Sequence, residues 1–305
     1  MSVLRREPVR VLVPATSANL GPAFDCAGLA LGVEDELVAM VSDDPGVLIE
    51  VTGEGAGDLP TDARHLVARA MAMGFEAMGV RPEGFVLRCT NVIPHGRGMG
   101  SSAAAIIGGL VLARALVESG QDLLDDDAIM RLALTIESHP DNVSAALHGG
   151  LTFAWIDDDG APQHIRLDVH PDVVPVIAIP DTSVPTAKAR TALPAQVDLA
   201  DASFNLARSA LLVHALTADP SHLMDATADR LHQEARRTMY PESMALVGRL
   251  RARGIPAAIS GAGPSVIALA GAPTVDAVAG LVEPGWRVIR TEVASAGARA
   301  VPTHP

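Results

Sequence analysis

Residues 101–118, with the sequence SSAAAIIGGLVLARALVE, carry apolar side chains on nearly every side of a helix. Such a helix must be covered on all sides, because an exposed face would leave apolar surface in contact with water. Gly108 and Gly109 lower the helical propensity of the segment, and we expect them to permit close packing against neighbouring elements. The segment therefore predicts a layered fold in which this helix lies between a sheet and other helices.

The rest of the chain supplies enough apolar material for such a core. It has 305 residues, of which 49% are hydrophobic, and its mean hydropathy is +0.27. Only 3% of the residues are aromatic, so Ala, Val, Leu and Ile must fill the interior. We expect one large core or two smaller ones, without the aromatic stacking surfaces on which proteins bind single-stranded nucleic acid.

The charge balance limits the classes of partner. The chain has 36 acidic and 23 basic residues, which gives a formal net charge of −13. Nucleic acids and anionic membranes favour a basic protein surface, so neither is expected as a partner. An anionic small molecule must be bound by locally arranged donors, because the overall field of the protein repels it.

Cysteine usage and the N-terminal sequence indicate a cytoplasmic protein. The two cysteines, Cys26 and Cys89, do not make a disulfide framework and cannot by themselves hold zinc. Residues 1–6 lack the apolar core of a secretory signal. Apolar runs elsewhere are broken well before the ~18 residues that a transmembrane helix needs.

The order of the predicted elements indicates an α+β protein with two adjoining lobes. Strands are predicted at 9–13, 37–41, 47–51, 85–89, 151–155, 173–179 and 286–289, and helices at 65–78, 101–118, 126–138, 199–216, 221–230 and 243–253. Short strands are also expected on both sides of 261–264, and an ordered loop at 14–25. Because strands and helices do not alternate strictly, a doubly wound sheet is less favoured. We place the N-terminal lobe at 1–155 and the C-terminal lobe at 156–305.

The segment 94–104, PHGRGMGSSAA, lies between a predicted strand and the long apolar helix. Its glycines allow positive φ and a close approach of the backbone to a ligand, and the helix N-terminus offers unpaired N–H groups. These properties favour a phosphate-binding loop. The lysine of a Walker A loop is absent, and Ser101 stands where the dinucleotide fingerprint has its third glycine. A glycine-rich turn with a serine N-cap is the alternative.

The missing lysine predicts a metal ion beside this loop. The negative charge of a triphosphate must then be balanced by backbone amides and a cation. Ser101 or Ser102 can supply a hydroxyl ligand. Mg²⁺ commonly takes one or two protein ligands and completes its octahedron with phosphate and water, so one serine and one carboxylate suffice.

Two further segments can bring polar groups to a ligand. Residues 137–142, ESHPDN, form a polar junction between two apolar helical stretches, and ordinary helix caps are the alternative there. Residues 259–265, ISGAGPS, form a second small glycine loop between strands, and a plain β-turn is the alternative.

These segments together resemble the GHMP kinase superfamily, and within it the members that phosphorylate homoserine. The matching stretches are PATSANLGPAFD (14–25), PHGRGMGSSAA (94–104), ESHPDNVSAALHGG (137–150), PTAKAR (185–190), DRLHQEAR (229–236) and SGAGPS (260–265). They occur in family order and span most of the chain. Ala23, Met99 and Ala235 depart from the residues common in the family, which affects fine specificity more than kinase activity.

The resemblance implies a fold, a reaction and a set of partners. The N-terminal lobe would resemble ribosomal protein S5, the C-terminal lobe would be ferredoxin-like, and the substrates would lie in the cleft between them. ATP and Mg²⁺ are implied as cofactors, and a homodimer is implied as the assembly. The implied reaction transfers the γ-phosphoryl group of ATP to the side-chain hydroxyl of L-homoserine, in threonine biosynthesis.

The resemblance also implies roles for individual residues. The ATP loop would comprise Pro94, His95, Gly96, Arg97, Gly98, Met99, Gly100, Ser101, Ser102, Ala103 and Ala104, with Ser102 and Glu137 as ligands of Mg²⁺. The amino-acid pocket would comprise Asn19, Asp25, His139, Asp141, Asn142, Arg190, Arg236, Gly261 and Gly263. Either aspartate suits an ammonium group, and paired arginines suit a carboxylate. Without the resemblance, Arg190 and Arg236 would be interpreted as solvated surface residues. His232 and Arg97 are interpreted as structural or peripheral, and Thr186 matches a threonine near the active site of the family, with its role left open.

The expected catalytic set is Glu137, Ser102 and Asn142. In phosphoryl transfer with a loose transition state, positioning and charge stabilisation matter more than proton abstraction. Mevalonate-type relatives place an aspartate at the position of Asn142, whose amide cannot act as a base. We expect Asn142 to orient the hydroxyl while phosphate or water takes the proton late. The alternatives are a GHMP kinase for mevalonate or a sugar, or a non-catalytic ATP-binding relative, against which Ser102 and Glu137 argue.

Overall fold

A computed structural model describes residues 3–271 and 275–302 of the chain. Its strands are β1 (Val9–Ala18), β2 (Ala27–Ser42), β3 (Gly46–Gly53), β4 (Gly84–Asn91), β5 (Leu151–Ile156), β6 (Pro162–Leu167), β7 (Val174–Ile179), β8 (Ala257–Ile259), β9 (Val266–Ala270), β10 (Arg287–Arg290) and β11 (Arg299–Val301). Its α-helices are α1 (Leu66–Ala77), α2 (Ser101–Ala115), α3 (Gly120–Leu123), α4 (Asp126–Leu134), α5 (Pro140–His148), α6 (Thr186–Arg190), α7 (Leu199–Thr217), α8 (Leu223–Ala226), α9 (Pro241–Ala252) and α10 (Val275–Ala279).

The N-terminal lobe is built on a seven-stranded sheet. Its main strand order is β11-β1-β2-β4-β3, and β2 also pairs with β5, which pairs with β6. All pairs are antiparallel except β3 and β4. The long strand β2 connects the two parts of the sheet, because Glu36–Ser42 pair with β4 while Ala27–Leu29 pair with β5.

The C-terminal lobe is built on a four-stranded antiparallel sheet with the order β10-β7-β9-β8. Alternate residues of β7 enter different cores: Ile177 and Ile179 join the large core shared with the first lobe, whereas Val176 and Ala178 join a smaller core. Successive side chains of a strand point to opposite faces of a sheet, so both faces of this sheet are covered. The α+β arrangement with two lobes is confirmed.

Helix α2 lies in the middle of the large core, as its apolar sequence predicts. A Cβ added to Gly108 would lie 2.4 Å from Leu37 Cδ1 in β2, and one added to Gly109 would lie 2.5 Å from the Val67 carbonyl oxygen in α1. A side chain at either position would therefore force the sheet or α1 away. The predicted packing role of both glycines is confirmed.

Several predicted elements differ in extent. The helices predicted at 101–118 and 126–138 end at Ala115 and Leu134, and strand β1 continues through 14–18, which were expected to be loop. The helix predicted at 221–230 is wrong for most of its length. Within 221–230, a short 3₁₀ turn is followed by α8, which ends at Ala226. The chain then forms a turn, in which the Asp229 carboxylate accepts hydrogen bonds from the backbone N–H groups of residues 231–233.

Strand pairing crosses the predicted division between the lobes. That division falls within β5, before its last residue Ile156, and β5 forms an antiparallel pair with β6. Strand β11, near the end of the chain, returns to pair with β1. The N-terminal sheet therefore includes strands from both sides of residue 155. No helix within the described ranges is long and apolar enough to span a membrane.

Candidate active site

A cavity of about 250 Å³ lies where the predicted ligand-binding segments meet. Residues singled out from the sequence that line it are Asn19, Asp25, Gly96, Gly98, Met99, Gly100, Ser101, Ser102, Ala103, Glu137, His139, Asp141, Asn142, Thr186, Arg190, Arg236 and Gly261. Pro94, His95, Arg97, Ala104 and Gly263 belong to the same segments but not to this lining. We call this space the main cavity.

The glycine loop before α2 has the conformation that its sequence predicts. Gly96, Gly98 and Gly100 have φ of 65°, 72° and 70°. A Cβ on Gly98 would lie 2.1 Å from the Ser260 carbonyl oxygen, and one on Gly100 would lie 1.9 Å from Thr16 Oγ1. Gly98 and Gly100 are thus needed for the close contact of this loop with the second glycine loop and with β1, as well as for the approach of a ligand.

The N-terminus of α2 faces the main cavity. Gly100, and not a serine, is the N-cap residue, so the alternative of a serine N-cap is wrong. No side chain in the described part of the chain caps the helix. The first N–H groups of a helix lack intrahelical acceptors, and the helix dipole places partial positive charge there. Residues 101–103 line the cavity, so this positive end is available to an anion.

The two glycine loops are held together by hydrogen bonds. Ser260 Oγ donates to the Gly98 carbonyl at 2.6 Å, and the Ser265 N–H donates to the Arg97 carbonyl at 3.3 Å. The Arg97 guanidinium donates to the carbonyls of His95, Pro180 and Asp181, which connects the first lobe to the end of β7. Arg97 therefore makes structural contacts between the lobes.

The loop after β1 places Asn19 and Asp25 in the main cavity. Both have positive φ, 69° and 58°, which is uncommon for residues other than glycine. Asn19 connects two segments, since its Oδ1 accepts from the Asp25 N–H and its Nδ2 donates to the Gly261 carbonyl, each at 2.9 Å. Arg190 donates to both oxygens of Asp25, at 3.0 and 2.5 Å. The loop is thus fixed from both lobes.

The polar junction 137–142 supplies acidic and amide groups. Pro140 opens α5 and holds His139 in an extended conformation, so Glu137 and His139 lie outside the helices. Glu137 Oε1 is 3.0 Å from His139 Nδ1. Thr16 Oγ1 donates to Asn142 Oδ1 at 2.7 Å, and Asn142 Nδ2 lies 3.3 Å from Asp141 Oδ1. Because these contacts orient the Asn142 amide, its NH₂ lies on the side of the Asp141 carboxylate.

Asp141 is buried, with 2% of its surface exposed. Burial raises the pKa of its carboxyl group to about 7, the hydrogen bond from the Asn142 N–H opposes this shift, and the nearby negative charge of Asp25 adds to it. The carboxyl group is therefore partly protonated near neutral pH when no cation lies beside it.

The raised pKa of Asp141 predicts a pH-dependent stability. A carboxyl with pKa 3.8 unfolded and about 7 folded holds more protons in the folded state, so the free energy of unfolding falls as pH rises from about 4 to 7. The full shift corresponds to an upper bound of about 4 kcal/mol. In Asp141→Asn this contribution disappears. We expect urea unfolding to show the variant gaining stability relative to the parent between pH 5 and 8, whereas parallel profiles would contradict this.

Arg236 is 1% exposed yet lines the main cavity. Its Nε donates to the Ala189 carbonyl at 3.1 Å, and within residues 3–271 and 275–302 it makes no salt bridge with a carboxylate. Burial lowers its pKa, with Arg190 acting in the same direction and Tyr240 and Asp25 opposing them. A buried guanidinium without a carboxylate partner is costly, so the site favours an anionic ligand group.

Phe24 organises the two arginines, although its role was not predicted. The guanidinium carbons of Arg190 and Arg236 lie 5.4 and 5.5 Å from its ring centre. Both distances lie within the range of a cation–π contact. Phe24 and Thr16 lie within the segment 14–25, but their partners are more than 100 positions away, so sequence spacing gives no signal of these contacts.

A second cavity of about 260 Å³ shares Ser101 and Ser102 with the main cavity. Its wall is largely apolar, and its polar members include Asp35, His65, Asn91 and His95. His65 is buried, and neither of its ring nitrogens has a hydrogen-bond partner among the residues that the structure describes. Burial lowers its pKa. His95 and Ala104, predicted as part of the ATP loop, line this second cavity. This cavity was not predicted from the sequence, because its lining comes from five separate segments.

Comparisons with known proteins identify the family and the relatives of this chain. Residues 65–150 match the family described as "GHMP kinases N terminal domain", and residues 212–280 match "GHMP kinases C terminal". The homoserine kinase of Streptomyces avermitilis is 51% identical over 298 residues, which covers 98% of this chain and 97% of that protein. The homoserine kinase of Cutibacterium acnes is 51% identical over 86% of this chain and 88% of its own.

Solved structures with this fold include enzymes of different specificity. The crystal structure of homoserine kinase from Cytophaga hutchinsonii superposes with a TM-score of 0.84 at 26% identity and covers 99% of both chains. Mevalonate kinase of L. major superposes with a TM-score of 0.72 at 16% identity, covering 97% of this chain and 100% of that one. The second similarity shows the shared fold alone.

Proposed function

This chain belongs to the GHMP kinase family, and from that premise we propose that it is a homoserine kinase whose main cavity joins ATP and L-homoserine. It transfers the γ-phosphoryl group of ATP to the side-chain hydroxyl of L-homoserine and forms O-phospho-L-homoserine, a step of threonine biosynthesis. One observation carries the substrate assignment: the buried guanidinium of Arg236, which makes no salt bridge with any carboxylate of the described residues, lies in the same cavity as two aspartates and the positive end of α2.

The phosphate chain of ATP lies along the glycine loop and the N-terminus of α2. Backbone N–H groups and the helix dipole there supply positive potential without a lysine. This local arrangement overcomes the repulsion expected from a net charge of −13. The nucleoside base lies in the second cavity, which adjoins the loop through Ser101 and Ser102 and offers apolar walls with a few polar groups.

Ser102 and Glu137 would hold Mg²⁺. Both line the main cavity, and a hydroxyl and a carboxylate oxygen are donors that Mg²⁺ prefers, so the residues present fit the ion. When bound, the ion neutralises the negative charge that develops on the transferred phosphoryl group.

The amino and carboxylate groups of homoserine determine its orientation. Arg236 and Arg190 bind the carboxylate, since paired guanidinium groups suit bidentate binding. The ammonium lies beside Asp25 and Asp141. A cation next to Asp141 stabilises its charged form, so substrate binding lowers the raised pKa of this carboxyl and releases a proton at neutral pH.

Asn142 orients the substrate hydroxyl. Its Oδ1 already accepts from Thr16, so its NH₂ is the group available to donate to the hydroxyl oxygen. An amide cannot take the hydroxyl proton, and positioning supplies most of the catalysis in phosphoryl transfer. Phosphate or water then takes the proton late in the reaction.

A coupled ADP-release assay with several acceptors tests the substrate assignment. We expect ADP release with Mg²⁺ and ATP to be fastest with L-homoserine, and much slower with L-threonine, L-serine, mevalonate or galactose. Mevalonate lacks the ammonium group and galactose lacks both charges, so neither satisfies the aspartates and arginines together. A preference for mevalonate or galactose would overturn the assignment. The homodimer implied by the resemblance and the cytoplasmic location indicated by cysteine usage and the N-terminal sequence stay predictions.

A further inference from the structure

His232 lies behind the main cavity and outside its lining. It is 1% exposed, and both ring nitrogens have partners. Nε2 lies 2.7 Å from the Gly21 carbonyl oxygen, and Nδ1 lies 3.2 Å from Arg236 Nη1. A carbonyl oxygen only accepts and a guanidinium only donates, so Nε2 must carry the proton and Nδ1 must accept. The surroundings thus select one neutral tautomer of the imidazole.

Asp229 fixes the backbone that carries His232. Its Oδ2 accepts from the N–H groups of His232 and Gln233 at 3.1 and 2.9 Å, and its Oδ1 accepts from Leu231 N–H and Asn205 Nδ2 at 3.0 and 2.8 Å. The carboxylate is therefore engaged by the turn. Nε2 of His232 lies 2.7 Å from the Gly21 carbonyl oxygen but 3.7 Å from Asp229 Oδ1. The Nε2 proton is therefore donated to Gly21.

The hydrogen bond from Arg236 to His232 orients the guanidinium without neutralising it. Arg236 is held at Nε by the Ala189 carbonyl and at Nη1 by the imidazole, and both acceptors are uncharged. An acidic side chain in the position of His232 would also orient the guanidinium. Such a side chain would, however, compete electrostatically with a ligand carboxylate.

We propose that His232 is a positioning residue for the substrate carboxylate: its neutral imidazole aligns Arg236 and connects it to the loop 19–25 through Gly21. This inference rests on the proposed function. It assigns His232, interpreted from the sequence as structural, to the binding of homoserine. We expect ATP binding to be independent of it, because neither His232 nor its partner Arg236 lines the second cavity, where the nucleoside is placed, and neither belongs to the glycine loop.

Four substitutions separate the contributions of this side chain. His232→Phe keeps a ring next to Phe24, whose centre lies 5.0 Å from that of the imidazole, but removes both hydrogen bonds. His232→Gln keeps a donor near Nε2. His232→Asn keeps an acceptor near Nδ1, and His232→Asp has nearly the same shape as asparagine but adds a negative charge.

Steady-state kinetics with homoserine and ATP varied in turn gives the test. In His232→Phe and His232→Gln we expect the KM for homoserine to rise roughly tenfold or more, the scale of one hydrogen bond to a charged group, with the KM for ATP unchanged. In His232→Asn the KM for homoserine stays within about threefold of the parent value. In His232→Asp this KM rises at least as much as in His232→Phe, because the aspartate neutralises the charge of Arg236 and so weakens its binding of the substrate carboxylate.

Two results would overturn the proposal. One is a KM for homoserine in folded His232→Phe within about twofold of the parent value. The other is an equal KM for homoserine in His232→Asn and His232→Asp. Thermal unfolding of each variant checks that it folds, and if His232→Asp does not fold, the Phe and Asn variants decide. A parent enzyme that lacks homoserine-dependent ADP release would refute the proposed function instead, so the two failures are distinguishable.

Discussion

Glu137→Gln and Glu137→Ala lower kcat for homoserine phosphorylation by about 100- to 1000-fold, the loss seen when one electrostatic contact to a transition state is removed. Glu137 would supply the carboxylate ligand of Mg²⁺ in a cavity without a lysine at the phosphate loop. Its side chain is 26% exposed and its hydrogen bond is to His139, outside the helices. The fold therefore persists in both variants.

The Glu137 prediction is measured by ADP release at saturating homoserine over a range of Mg²⁺ concentrations. Glu83→Gln is the matched control, since Glu83 is exposed and outside the linings of both cavities. We expect the control to retain the kinetics of the parent. A Glu137→Gln variant that keeps more than about a tenth of the parent kcat would contradict the role of this carboxylate.

Arg236→Met lowers kcat/KM for homoserine by about 100- to 1000-fold, with little change in the KM for ATP. Removing one partner of a buried, hydrogen-bonded charge pair costs about 2–5 kcal/mol, and each 1.4 kcal/mol is a factor of ten. Methionine fills much of the same volume without donors. Steady-state kinetics with each substrate varied separately distinguishes the two binding steps.

The neighbouring arginine provides a control for Arg236→Met. Arg237 is exposed and pairs with Glu234 on the protein surface, with Nε–Oε1 at 2.5 Å and Nη2–Oε2 at 2.7 Å. We expect Arg237→Met to leave the KM for homoserine unchanged. If Arg237→Met lost homoserine binding and Arg236→Met kept it, the assignment of the carboxylate contact to Arg236 would be wrong.

Features encoded by adjacent residues could be predicted from the sequence. The apolar segment after residue 100 predicted the central helix. The alternation of glycines before it predicted the positive φ angles of Gly96, Gly98 and Gly100. Pro140 gave the start of α5 because proline is favoured at the first position of a helix.

Features that depend on distant parts of the chain could not be predicted from local pattern. Strand β11 lies almost 300 positions after β1, with which it pairs. Strand β6 was not predicted although Ile165 and Leu167 alternate with Arg166, and so short an alternation gives no sign of the strand with which it pairs. The raised pKa of Asp141 depends on burial, which is set by packing. Likewise, the sequence shows His232 four positions before Arg236, but the contact with Gly21 that selects its tautomer requires the folded chain.

Identification of the product tests the central claim most directly. The protein is incubated with ATP, Mg²⁺ and L-homoserine, and the products are followed by ³¹P and ¹H NMR. The predicted result is one new phosphomonoester whose phosphorus couples to the γ-methylene protons of homoserine and whose amount equals the ADP formed. ADP accompanied only by inorganic phosphate, or by a phosphorus signal without coupling to that methylene, would contradict phosphoryl transfer to the side-chain hydroxyl.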